Sequence, residues 1–224
     1  RAVAEAARAA GAGLTHISAI GADVDSDSDY ARSKGLAEAA VLKVLPDAVI
    51  LRPSIVFGPE DGFFNKFAEM ARFSPALPLI GGGETRFQPV YVGDVAEVVA
   101  RSVDGTLAPG KTYELGGAEV LSFRQCLEAM LAVIQRKRTL VSLPWGLASM
   151  IGSIASASPL SKPPITEDQV TLLRSDNVVS DEAAREGRTL EGLGMRAVTI
   201  EAILPTYLGR FRPQGQFTGS GKKA

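Results

Sequence analysis

The 224-residue sequence predicts an α/β protein built on a doubly wound parallel sheet, and three neighbouring observations carry that prediction. Leu14-Thr15-His16-Ile17-Ser18 reads as a short apolar strand that runs into a loop over residues 19–29. A helix opens at Tyr30, and Ala48-Val49-Ile50-Leu51-Arg52 is a second β-rich run stopped by Pro53. Strand, helix and strand in that order make a right-handed parallel unit. Ser18 therefore falls at the C-terminal end of a strand, where open α/β sheets place their ligands.

Within the helix, Tyr30-Ala31-Arg32-Ser33-Lys34 sets a tyrosine one turn before a lysine, so both side chains project from one face. An ammonium beside a phenol favours the phenolate, and the expectation is a Tyr30 pKa below the free value of about 10. Such a tyrosine exchanges a proton near neutral pH. Taken alone, the spacing favours a ring packed on the sheet and a solvated lysine over a proton-transfer pair. The adjoining strand ends give it weight. His16 alternates with Ile17 along its strand and reads as a structural histidine.

The remaining elements follow in order. Residues 2–10 are an alanine-rich helical stretch, 62–72 a helix, and 93–103 another, with Asp94 near the positive end of its dipole. Gln88, Tyr91 and Asp94 read as residues that fix the turn ahead of it. Residues 111–115 form a strand after Pro109-Gly110. Ser122 is an N-cap for the run 123–135, whose Phe123, Leu127, Met130, Leu131 and Ile134 share one stripe. Cys126 lies beside that stripe as a buried, inert thiol. Residues 139–143 are a strand of a smaller C-terminal lobe.

No charge occurs between Arg138 and Lys162, and residues 144–155 carry Trp145, Leu147, Met150, Ile151 and Ile154. A membrane span needs about 20 apolar residues, whereas this stretch is interrupted by proline and diluted by serine. It reads either as an interfacial or partner-docking helix anchored by Trp145 or as a helix packed in its own lobe. Residues 212–224, rich in glycine and lysine, read as a disordered tail.

Composition narrows the function classes. A net charge of -1 gives no electrostatic reason to bind nucleic acid. One cysteine excludes an intramolecular disulfide, and with one histidine no zinc pattern can be drawn, so no metal is expected. Neither a signal peptide nor an internal repeat is visible.

A serine at a strand end, Tyr30 and Lys34 on the next helix, Arg52-Pro53 and the turn Phe57-Gly58-Pro59 together resemble the extended and atypical short-chain dehydrogenase/reductase superfamily, which includes the NAD-dependent epimerase/dehydratase-like proteins. Phe63-Phe64-Asn65-Lys66-Phe67 and the run from Gly81-Gly82-Gly83 through Gln88-Pro89-Val90-Tyr91-Val92-Gly93-Asp94 narrow the resemblance. Over residues 13–208 the chain is similar to the alpha-subcomplex subunit 9 family of respiratory complex I.

The resemblance implies a Rossmann-type sheet with a smaller mixed α/β lobe on the substrate side. No Gly-x-x-Gly-x-x-Gly run follows a strand, although such a turn holds the pyrophosphate in a complete fold. The chain is therefore expected to be the C-terminal part of that sheet, N-terminally incomplete by roughly three strands. Residues 1–60, joined by 88–115, are expected to form the second half of the nucleotide-binding domain, and 61–87 with 116–211 the smaller lobe.

By resemblance, Tyr30 is the general acid/base and Lys34 holds the nicotinamide ribose and tunes Tyr30. Ser18 orients a carbonyl or hydroxyl, and Pro53, Ser54 and Ile55 border the nicotinamide ring. The implied cofactor is NADP or NAD, with NADPH favoured. The implied partners are complex I subunits, with peripheral membrane contact through the Trp145 segment. The implied place is the cytoplasmic side of a bacterial inner membrane or the mitochondrial matrix side, and otherwise the cytoplasm. Two readings stay open: an accessory subunit whose nucleotide is structural, and an active oxidoreductase, epimerase or dehydratase on a small molecule, with ubiquinone biosynthesis as its setting.

Overall fold

A computed structural model describes residues 1–156 and 166–215, with residues 154–156 described by their backbone alone. Helix α1 (Ala2–Ala9) leads to strand β1 (Thr15–Ile17), helix α2 (Asp29–Val44) and strand β2 (Val49–Pro53). Then come β3 (Val56–Phe57), α3 (Phe64–Phe73), β4 (Ala76–Ile80), β5 (Arg86–Phe87), β6 (Val90–Tyr91) and α4 (Val92–Val103). Strands β7 (Thr112–Leu115) and β8 (Leu121–Ser122) precede α5 (Phe123–Val133) and β9 (Thr139–Leu143). Helices α6 (Trp145–Ser156), α7 (Glu167–Leu172), α8 (Asp181–Arg185) and α9 (Ile200–Leu208) follow.

The α/β sheet expected from the sequence is present, in the order β1-β2-β7, all parallel. Strand β2 sits in the middle, and its side chains alternate between two apolar layers. Val49 and Leu51 face the layer that Val95 and Val98 of α4 complete, whereas Ile50 faces Ala4 of α1 and Val41 of α2. Helices thus cover both faces of one strand, which is the doubly wound arrangement. Full burial of Ile50 and Leu51 contributes about 1.5–3 kcal/mol each.

Pro53 ends β2 rather than following it. It pairs with Leu115, and its carbonyl accepts from the Ile20 amide at 3.0 Å, so the missing N–H falls at the strand terminus. Helix α2 starts under the hydroxyl of Ser28, which accepts from the Ala31 amide at 3.3 Å. Gly35 lets that helix lie against the preceding loop, because a Cβ there would stand 2.5 Å from the carbonyl carbon of Asp23.

A second large core gathers Phe57, Phe64, Leu77, Phe123, Leu127 and Leu204. There β4 and β9 pair in parallel and β5 and β8 antiparallel. Ser122 caps α5 in a reciprocal capping box with Gln125, as the sequence predicts in part. The helix stops short of residue 135 because Gln135 takes a left-handed φ of 53°. Cys126 is fully buried, and burial pushes its thiol up to about 12. Of the expected tail, Arg212 donates to the Val133 carbonyl at 3.0 Å, and residues 216–224 lie outside the described residues.

Candidate functional site

The loops leaving β1 and β2 face α3 and the segment after α7 across a cavity of about 640 Å³. Tyr30, Pro53, Ser54 and Ile55 line it, so four of the six residues singled out in the sequence share one wall. Ser18 and Lys34 stand outside the lining. Ser18 is 3% exposed, its amide donates to the Leu51 carbonyl at 2.7 Å, and its hydroxyl has no partner among the described residues. A buried hydroxyl without a partner is costly unless something else supplies one.

Lys34 carries its ammonium 5.6 Å from the centre of the Tyr30 ring, as one helical turn dictates. The expected depression of the Tyr30 pKa is not found. Burial raises it, because the half-buried site solvates a phenolate less well than open water does, and the ammonium meets the ring's π face. His16 lies on the same face of β1 as Ser18, and its Nε2 is buried without a partner. Burial, and next the charge of Lys34, push its pKa below the ordinary histidine value.

Ser54 enters the site through its side chain as well as its backbone. Its hydroxyl lies 2.7 Å from Oδ1 and 2.9 Å from the carbonyl oxygen of Asn177, to one of which it donates, and it accepts from the Gln88 amide at 3.2 Å. Asn177 Nδ2 donates in turn to the Ile20 carbonyl at 3.1 Å. Asn177 therefore joins the two strand-end loops. It comes from a segment with no sequence periodicity, where only the turn-forming cluster Ser175-Asp176-Asn177 signals a loop. The side chains of Gln88 and Asp94 tie segments distant in the chain rather than the turn ahead of α4. Gln88 Nε2 donates to the Gly117 carbonyl at 2.9 Å and its Oε1 accepts from the Val179 amide at 3.1 Å, while Asp94 accepts from the Val198 amide at 2.9 Å.

The glycine run lies elsewhere. Gly81, Gly82 and Gly83 have φ of 59°, 80° and 81°, and a Cβ on Gly81 would stand 2.0 Å from the Trp145 indole. Gly81 makes room for a tryptophan. Trp145 is covered on its other side by the Arg174 guanidinium, 5.2 Å from the ring centre.

A family model described as the 3-beta hydroxysteroid dehydrogenase/isomerase family matches residues 22–119. Among curated proteins, the mitochondrial NADH dehydrogenase [ubiquinone] 1 alpha subcomplex subunit 9 of Arabidopsis thaliana is 40% identical over 212 residues, covering 91% of this chain and 52% of that protein. Its counterpart in Rattus norvegicus is 34% identical over 214 residues, covering 95% of this chain and 55% of that protein.

This chain is a homologue of the alpha subcomplex subunit 9 proteins.

The subunit-9-like chain spans about half the length of these relatives. Its fold is that of UDP-glucose 4-epimerase from Thermus thermophilus, solved in complex with NAD. The TM-score is 0.62 at 20% identity, over 94% of this chain and 68% of that one.

A dinucleotide fits the residues at one end. The buried Ser18 hydroxyl, without a partner among the described residues, and the Tyr30 and Lys34 pair would hold a nicotinamide ribose, and Pro53, Ser54 and Ile55 would border the ring. When bound, a nicotinamide supplies hydride chemistry.

Proposed function

We propose that this chain belongs to a nucleotide-binding accessory subunit of respiratory NADH:ubiquinone oxidoreductase, in which NAD(P)H, with NADPH favoured, is mainly a structural ligand. The observation that carries this reading is the 40% identity to the Arabidopsis subunit across 91% of the chain. Residues 1–60 and 88–115 would form the nucleotide side, and 61–87 with 116–211 the smaller lobe. Ser18, Tyr30 and Lys34 would hold the ribose, and the nucleotide would stabilise the fold by mass action.

A second reading, an active reductase or epimerase with Tyr30 as general acid/base, is favoured by the cavity that Tyr30 lines. In that case Tyr30→Phe in the intact protein would lower turnover by roughly 10²- to 10⁴-fold.

The subunit would sit peripherally on the cytoplasmic face of a bacterial inner membrane or the matrix face of a mitochondrial one. Among the described residues no helix is long and apolar enough to cross a membrane. Leu147, Met150 and Ile151 of α6 are exposed, whereas Trp145 is enclosed by Gly81 and Arg174, so the contact would run through the former. The test is native-gel migration of the tagged intact protein from gently solubilised membranes. Co-migration with NADH:quinone oxidoreductase activity supports the accessory reading; migration as a free protein with turnover lost in Tyr30→Phe replaces it with the enzyme. Unchanged membrane association in Met150→Glu would remove α6 from the account.

A further inference from the structure

One wall of the cavity carries a charge that the nucleotide reading leaves unused. Lys66 projects from α3 and lines the cavity between Phe63 and Phe67. It makes no hydrogen bond or ion pair among the described residues, and burial lowers its pKa. A half-buried ammonium without a counter-charge is unfavourable, and an anion delivered from outside relieves it.

The surface beside it is aromatic. Phe63 packs against Phe67, Phe87 and Phe123 with ring centres 5.3, 5.9 and 5.9 Å apart, and all four rings border the cavity. Such a wall suits an apolar chain or ring and offers nothing to the hydroxyls of a sugar. The acidic groups of the lining do not compete for Lys66. Asp176 is bound by Arg86 at 2.7 Å, and Asp25 and Asp27 are exposed and make no ion pair with Lys66 among the described residues. A volume of about 640 Å³ lies in the ordinary range for small-molecule sites.

We propose that this cavity binds an anionic amphiphile, with its acyl, prenyl or ring portion against the phenylalanines and a carboxylate or phosphate head at Lys66. This binding goes beyond the nucleotide reading and does not depend on complex I membership. Its loss and a failure of native-gel co-migration are therefore separate results.

Titration calorimetry on the intact protein tests it with palmitate, dodecyl phosphate and uncharged hexadecanol, each below its aggregation limit. Binding of at least one anionic probe should weaken about tenfold or more in Lys66→Met, as expected for a lost charge-assisted contact, and recover in Lys66→Arg. Hexadecanol binding should differ less than twofold between wild type and Lys66→Met. The probe that loses more identifies the head, carboxylate or phosphate. Equal affinity of wild type and Lys66→Met for both anions, or no binding of either, would overturn the proposal.

Discussion

The Asp168 carboxylate caps the helix that carries Tyr30, accepting from the Asp29 amide at 2.7 Å and the Tyr30 amide at 3.3 Å. The first amides of a helix have no partner within it, and a carboxylate there satisfies both their donors and the positive end of the dipole. Asp168 belongs to α7, so a helix far along the chain fixes the start of the tyrosine helix. Asp168→Ala should cost about 0.5–2 kcal/mol locally. Amide hydrogen exchange at Asp29, Tyr30 and Ala31 should accelerate while the sheet amides stay protected; unchanged exchange at all three would show that the cap does not hold the helix.

Arg52 and Glu38 bind each other through two contacts, Nε to Oε1 at 2.9 Å and Nη2 to Oε2 at 2.6 Å, with Glu114 3.9 Å away. Glu38 is buried, and the pairing raises the Arg52 pKa further. Removing one partner of a buried pair leaves the other charge uncompensated, at a cost of about 3–5 kcal/mol. Glu38→Ala should fall at the low end, because Glu114 remains. Urea unfolding of the intact protein measures it, and a loss below about 1 kcal/mol would place the pair with the weak surface bridges.

His16 gives a pH dependence whose sign is fixed by its surroundings. Its pKa is lowered on folding, by burial first and then by Lys34, so the unfolded chain binds the proton more tightly. Its contribution is therefore present above the unfolded value of about 6.5 and is lost as pH falls towards and through the folded pKa. The melting temperature of wild type should fall relative to that of His16→Gln as pH drops from 7.5 into the acid range. A constant difference across that range would mean that His16 does not titrate differently on folding.

The parallel unit was legible because β2 is a continuous β-branched and leucine run buried on both faces, and α2 follows a loop ending in an N-cap serine. Four cavity residues were legible for the same reason: they sit at strand and helix ends. Strand β4 was not, since Pro78 and the neighbouring Pro75 argue against a strand, and its parallel partner β9 lies about 60 residues on. Asn177 and Asp168 act on Ser54 and Tyr30 across separations of 123 and 138 residues, which no local period reports. The Tyr30 pKa was misjudged because spacing gives the presence of Lys34 but not the burial that outweighs it.

The measurement that bears most directly on the nucleotide reading is the nucleotide content of the purified intact protein after denaturation. About one NAD(P)(H) per polypeptide is expected, lost together with thermal stability in Lys34→Ala, since a ligand at 100 times its Kd stabilises by about 2.7 kcal/mol. Absence of nucleotide from the folded intact protein, or full retention in Lys34→Ala, would overturn that reading.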